Sequence, residues 1–187
     1  MKEQLRRQLR QQRQLVQQQT AGPLLRAVLE VLDQQQQPGH LGIYWPLGSE
    51  PDLRSIAKQR PQWSERLALP AVQHGQLSYR PWPEAAMLQA DECGVPAPLL
   101  EVALQPQQLA LLLVPALAVD RQGFRLGAGG GWYDRLRSDR HWRAVPALVV
   151  LPDACLLATL PRDPWDVPFN GCITESGLHR ANLNNHC

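Results

Sequence analysis

The chain has 187 residues, 44% hydrophobic and 19% charged, a balance that suits one packed globular domain and excludes a disordered one. Its formal charge of +2 does not by itself argue for nucleic acid, although Arg6, Arg7, Arg10 and Arg13 gather positive charge near the N-terminus. The longest apolar run, residues 109–119, contains Pro115 and is too short to span a bilayer, and residues 1–19 hold no apolar signal segment, so a cytoplasmic protein with no membrane attachment is expected.

Residues 2–19 place Leu5, Leu9 and Val16 at helical spacing among Arg and Gln, which predicts a basic amphipathic helix with a narrow apolar stripe. A second helix is predicted from Thr20, a candidate N-cap, with Pro23 in its first turn and Leu24, Leu25, Val28, Val31 and Leu32 facing inward. Residues 34–39 read as a polar linker, 41–45 as a buried strand and 46–51 as a loop, with Asp52 capping a short helix that ends near Arg60. Residues 67–72 and 76–82 read as strands joined by a turn at His74-Gly75. Residues 83–107 are loop-rich, with prolines at 83, 96, 98 and 106. Residues 109–114 and 146–151 read as apolar core strands, followed by 156–160 and a short strand at 172–174.

Apolar runs alternating with helical segments predict an α/β fold in three layers, a mainly parallel central sheet flanked by helices, with an additional N-terminal helix. One domain is expected over residues 1–187, with 179–187 as a tail. In such sheets ligands bind beyond the carboxyl ends of the strands. Cys93, Cys155, Cys172 and Cys187 form no C-x-x-C pair, which leaves no zinc-ribbon or thioredoxin-type motif and fits a reducing compartment.

The stretch from Arg125 to Asp134 carries glycines at 127, 129, 130 and 131, between a fixed positive charge and a carboxylate. Glycine lets a ligand approach the backbone closely, and a glycine-rich turn can aim several N–H groups at one anion. The same glycines could serve a tight turn for geometry alone. Trp132 opens a predicted helix, whose first amides also favour phosphate. No Walker P-loop occurs, since G-x-x-x-x-G-K-[ST] is absent and the only lysines are Lys2 and Lys58. The spacing does not fit the dinucleotide fingerprint either. A carboxylate at Asp134, next to a phosphate cradle, would repel the ligand unless a cation bridged them. Mg²⁺ suits that place, with a second oxygen donor from Asp163 or Asp166. Asp134 could equally complement the helix dipole, and Asp166 could cap its own loop.

Residues 112–134, which read LLVPALAVDRQGFRLGAGGGWYD, closely resemble the signature of the 5-formyltetrahydrofolate cyclo-ligase family, VPG-x-A-F-D-x-x-G-x-R-L-G-x-G-x-G-[FY]-Y-D. Further segments match in order: Lys2-Glu-Gln-Leu-Arg6, Tyr44-Trp-Pro-Leu-Gly-Ser-Glu50, Gly94-Val-Pro-Ala-Pro98, Leu160-Pro-Arg-Asp-Pro-Trp-Asp166 and Thr174-Glu-Ser-Gly177. The resemblance implies a cyclo-ligase-like fold and a monomer that converts 5-formyltetrahydrofolate to 5,10-methenyltetrahydrofolate with ATP and Mg²⁺, releasing ADP and phosphate. It implies phosphorylation of the formyl oxygen followed by ring closure through N10, with the protein mainly positioning groups and neutralising charge.

By motif position, the resemblance assigns ATP to Lys2, Arg6, Arg125, Leu126, Gly127, Ala128, Gly129, Gly130, Gly131, Trp132 and Tyr133. It assigns the folate to Trp45 and Glu50 together with Gly129, Gly130, Gly131 and Trp132. Arg125 and Tyr133 become the catalytic pair, and Asp134 and Asp166 the metal ligands. Departures from the family pattern include Ala116, Trp132, Trp165 and Asn170. Two other readings remain open: a related ATP-dependent enzyme with another folate-like or amide substrate, and a non-catalytic anion- or RNA-binding module using Arg6, Arg10 and Arg13.

Overall fold

A computed structural model describes residues 2–182. Helix α1 spans Lys2–Asp33 as one uninterrupted element where two helices were predicted. Thr20 does not cap a helix: its hydroxyl donates to the Val16 carbonyl, one turn back, at 3.0 Å. Pro23 sits inside the helix, where it deletes one ladder hydrogen bond. Burial on both sides offsets that loss. Leu24, Val28 and Leu32 pack against the main sheet, and Leu9 packs with Leu117, Leu126 and Leu160.

After α1 come β1 (His40–Gly42), α2 (Ile56–Gln59), β2 (Leu67–Gln73), β3 (Gln76–Pro81), β4 (Gln89–Ala90), β5 (Pro96–Ala97) and β6 (Leu109–Pro115). Then follow β7 (Ala118–Asp120), β8 (Arg125–Leu126), α3 (Trp132–Ser138), α4 (Arg140–Ala144), β9 (Ala147–Val150), β10 (Leu156–Leu157), β11 (Gly171–Thr174) and β12 (Gly177–Arg180). The main sheet has seven strands in the order β12-β11-β9-β6-β1-β2-β3. The strands from β11 to β2 pair in parallel, while β12 and β3 close the edges antiparallel.

Strand β6 shows why the sheet is covered on both sides. Its side chains alternate between faces, and both faces are apolar: Leu111 and Leu113 join the cluster of Leu24 and Val28 on α1, whereas Leu112 and Val114 join that of Leu136 on α3. The result is the three-layer α/β arrangement expected. At the β2–β3 hairpin, His74 and Gly75 both take positive φ, 52° and 69°, as a two-residue turn of this hand requires. The Glu92 carboxylate accepts hydrogen bonds from both of their amides.

Three expectations change. Asp52 does not cap the short helix; its carboxylate accepts from the amide and guanidinium of Arg54, and α2 begins only after Ser55. Of residues 156–160, two form β10, which belongs to a separate small sheet, β10-β7-β8. His179 and Arg180, counted with the tail in the sequence, lie in β12; residues 183–187 lie outside the described residues. No helix among the described residues is long and apolar enough to cross a membrane.

The connections from β1 run through β2 and β3 in one direction, and those from β6 run through β9 and β11 in the other. The carboxyl ends of β1 and β6 therefore flank a topological switch point, where a crevice forms because consecutive loops depart to opposite sides. Because α1 is continuous through position 23, Pro23→Ala is expected to stabilise the protein by about 1–3 kcal/mol in urea unfolding. A loss of stability would instead mean that the helix needs a break there.

Candidate functional site

A cleft of about 990 Å³ opens at that switch point. Its walls are the loop after β1, the turn after β6, the glycine loop with the start of α3, the Asp163–Asp166 turn and one face of α1. Lys2, Arg6, Arg10 and Arg13 all line it. Their spacing of four, four and three residues puts them on one stripe of the helix.

That stripe grips the glycine loop by its carbonyls. Arg6 Nε donates to the Gly127 carbonyl at 3.1 Å and Arg10 Nη2 to the Ala128 carbonyl at 3.2 Å. In a trans peptide the carbonyl and the following N–H point in opposite directions, so the amides of Ala128 and Gly129 face away from α1. Ala128, Gly129 and Gly130 are exposed, and no backbone N–H from residues 128–131 donates to a protein acceptor among the described residues. Gly129 and Gly131 take φ of 121° and 65°, in the left-handed region that lets the chain turn into α3.

Arg125 closes this side of the cleft. Its Nη1 donates to the Pro115 carbonyl at 3.0 Å, its Nη2 lies 3.6 Å from Asp134 Oδ2, and its guanidinium sits 4.9 Å from the Tyr133 ring centre. The side chain is only 6% exposed, yet Nε has no hydrogen-bond partner among the described residues. A buried cationic donor without an acceptor is costly, and Nη1 and Nη2 hold the guanidinium at the cleft edge between Pro115 and Asp134. Tyr133 is buried with Leu112 and Leu136, and burial pushes its phenol up to about 12. Trp132 remains half-buried on the cleft wall, with the Arg135 guanidinium 4.3 Å from its ring centre.

Both carboxylates assigned to a metal carry cations in this structure. Asp134 faces Arg125, as above. Lys2 Nζ lies 2.6 Å from Asp163 Oδ2 and 3.3 Å from Asp166 Oδ2, and Asp166 also accepts from the Asp163 amide at 2.7 Å. The Lys2 pKa is raised: burial opposes its charge, but Asp163 and Asp166 outweigh that. No group of three or more His, Cys, Asp or Glu side chains converges among the described residues.

On the opposite wall, Glu50 Oε2 accepts from the Leu47 amide at 2.9 Å, and Oε1 lies 3.9 Å from Arg13 Nη1. Burial raises its pKa, partly countered by the Leu47 amide and by the charges of Arg13 and Arg125. Trp45 is wedged between the Arg54 guanidinium, 4.5 Å from its ring centre, and an edge-on contact with Trp82. The cleft thus joins a wall of free amides and guanidinium groups to one of aromatic rings and a semi-buried carboxylate.

Two residues were missed by sequence reasoning. Arg13, counted with a solvated basic face, is 5% exposed; Nε donates to Ser49 Oγ at 2.9 Å and Nη1 to the Ala116 carbonyl at 2.8 Å. Its position four residues after buried Leu9 was the available signal. With Arg6 and Arg10 tied to carbonyls and Arg13 turned inward, the continuous basic face needed by an RNA-binding module is not formed. Asp120 is 2% exposed and accepts from the amides of Gln122, Phe124 and Leu160 and from Arg162 Nη2, joining the hairpin that carries Arg125 to the segment leading to Asp166. Its D-x-x-G turn signature, Asp120 to Gly123, was legible in the sequence.

The raised pKa of Glu50 has a consequence for stability. A carboxylate that is harder to ionise in the folded state weakens folding as pH rises through the window between its unfolded and folded values, and the penalty persists above it. Glu50→Gln is therefore expected to be more stable than the parent near pH ~7.5, with the gain disappearing near pH ~4. Urea unfolding at both pH values checks this; an equal difference at each would contradict it.

The sequence profile of the 5-formyltetrahydrofolate cyclo-ligase family matches residues 1–175. The chain is 35% identical over 144 residues to the 5-formyltetrahydrofolate cyclo-ligase of Mycolicibacterium smegmatis, covering 70% of this chain and 71% of that one. It is 29% identical over 145 residues to the protein of the same name from Escherichia coli, covering 73% and 78%. The solution structure of 5,10-methenyltetrahydrofolate synthetase from Aquifex aeolicus superposes with a TM-score of 0.81 at 26% identity, covering all of this chain and 94% of that one. Sequence profile, relatives and fold agree, and the chain belongs to the 5-formyltetrahydrofolate cyclo-ligase family.

Proposed function

We propose that this enzyme converts 5-formyltetrahydrofolate to 5,10-methenyltetrahydrofolate in a reaction that consumes ATP, depends on Mg²⁺ and releases ADP and phosphate. The glycine loop carries the reading: its carbonyls are held by Arg6 and Arg10, its amides are free among the described residues, and the Arg125 guanidinium lines the same cleft. Such an arrangement favours a polyphosphate, because the donors are fixed before the ligand arrives. Residues 126–133 would then bind the nucleotide, with Lys2 and Arg6 on its phosphates.

In this assignment Arg125 neutralises charge on the transferring phosphoryl group, and Tyr133 keeps the guanidinium in place through its ring face. Phosphorylation of the formyl oxygen converts a poor leaving group into a good one. N10 then attacks the formyl carbon, and the C–O bond breaks to release phosphate. The folate would lie against Trp45, Trp132 and the residues at 129–131, with Glu50 accepting from N–H donors of its pterin ring. Asp134 and Asp166 fit Mg²⁺ in the chemistry of their donors: two carboxylates lining the phosphate side of one cleft, with phosphate and water oxygens to complete the shell. The ion would supply charge neutralisation between the phosphates and those carboxylates. Lys2 and Arg125, the cations beside those carboxylates, would then share the neutralisation of the phosphates.

The test is direct. Purified protein with 5-formyltetrahydrofolate, ATP and Mg²⁺ is expected to generate the ultraviolet absorbance of the methenyl product, and no product would sink the reading. Asp134→Asn is expected to lose about 10²-fold or more of kcat/KM. Full activity in that variant would remove Asp134 from the metal site.

A further inference from the structure

The loop after β1 has no regular structure, and the carboxylate of Glu50 has, among the described residues, a hydrogen-bond donor only from within the loop, the Leu47 amide. Tyr44, Trp45 and Leu53 pack the loop's ends against the core, while Arg13 supplies a side-chain hydrogen bond that ties its middle, at Ser49, to the rest of the fold. One guanidinium bonds Ser49, next to Glu50, and the Ala116 carbonyl just past β6, and so spans the switch point from a helix that belongs to neither strand. It is also the closest cation to Glu50. The Arg13 and Glu50 side chains are 6% and 13% exposed, so both charges are largely drawn out of water. Lys2, Arg6 and Arg10, earlier on the same stripe, reach the Asp163–Asp166 turn and the glycine loop instead. The stripe divides its work: three residues serve one wall of the cleft and Arg13 alone the other.

We infer that Arg13 is a positioning residue for the folate side of the cleft, fixing the place of Glu50 through Ser49 and the Ala116 carbonyl. This rests on the function proposed above, in which Glu50 receives the pterin. Arg13 does not touch the substrate. Its removal leaves Glu50 free to shift with its loop and short of its nearest counter-charge, while the glycine loop keeps its own anchors.

Arg13→Met is expected to raise KM for 5-formyltetrahydrofolate about tenfold and to change KM for MgATP less than about twofold. Arg13→Lys, which keeps the charge and loses the fork, should fall between parent and Met variant. Calorimetric affinities for 5-formyltetrahydrofolate and for MgATP, measured separately, should show the same split. Combined with Glu50→Gln, the Met substitution should add little further loss, because the two residues act as a unit. Equal effects on both substrates, or additive losses with Glu50→Gln, would overturn the inference and leave Arg13 a general strut. If Arg13→Met shows no cooperative unfolding, Ser49→Ala removes one contact only and should give the same split at about two- to threefold; no split would overturn it. Failure of the proposed function is distinguishable, because it would appear as a parent enzyme that makes no methenyl product at all.

Discussion

Parallel strands with apolar side chains on both faces impose two demands at once. Each face must be covered by helix, and the turns leaving the carboxyl ends must collect along one edge. In this chain β6 sets both, with Leu111 and Leu113 committed to one layer and Leu112 and Val114 to the other. Because connections leave β1 and β6 in opposite directions, the edge between them cannot be closed by a neighbouring crossover. The cleft lies there as a consequence of sheet order, before any particular side chain is considered.

Electrostatics then distinguish the walls. On one side, guanidinium groups from α1 consume the carbonyls of the glycine loop and leave its amides unmatched. On the other, a carboxylate is drawn partly out of water and kept near a buried guanidinium. Burial raises the cost of every unpaired charge, so the two walls differ in kind: one offers hydrogen-bond donors, the other a carboxylate among aromatic rings.

Much of this was legible in the sequence, for stated physical reasons. The alternation of apolar runs gave the layers, and the β2–β3 hairpin followed from a dipeptide able to take positive φ twice. The glycines at 127 and 129–131 marked a backbone made for close approach. What was not legible depended on partners distant in the chain. Pro23 and Thr20 looked like a helix start because local rules cannot register the packing of Leu9 and Leu24 on either side, which holds α1 together. Arg13 looked like a solvated cation because its acceptors lie 36 and 103 residues away. Asp134 and Asp166 read as metal ligands, or as a dipole partner and a loop cap; the structure sets Arg125 and Lys2 beside them, and Asp166 also caps the Asp163 amide, contacts that the local sequence does not carry.

The two ends of α1 are secured by different forces. Beyond Pro23, Leu24, Val28, Leu29 and Leu32 are almost wholly buried in the main core, whereas the first half has Leu9 as its one fully buried apolar side chain among the described residues and otherwise holds on through Arg and Lys contacts with loops. Apolar burial of that extent resists local opening, and polar contacts at a wet cleft do so far less. The helix is therefore graded along its length: a bolted root in the core and a more easily lifted arm over the cleft. Ligands that recruit the arm's charges would stiffen the segment that the protein itself holds least firmly, so that part of the binding energy goes into ordering the enzyme's own wall.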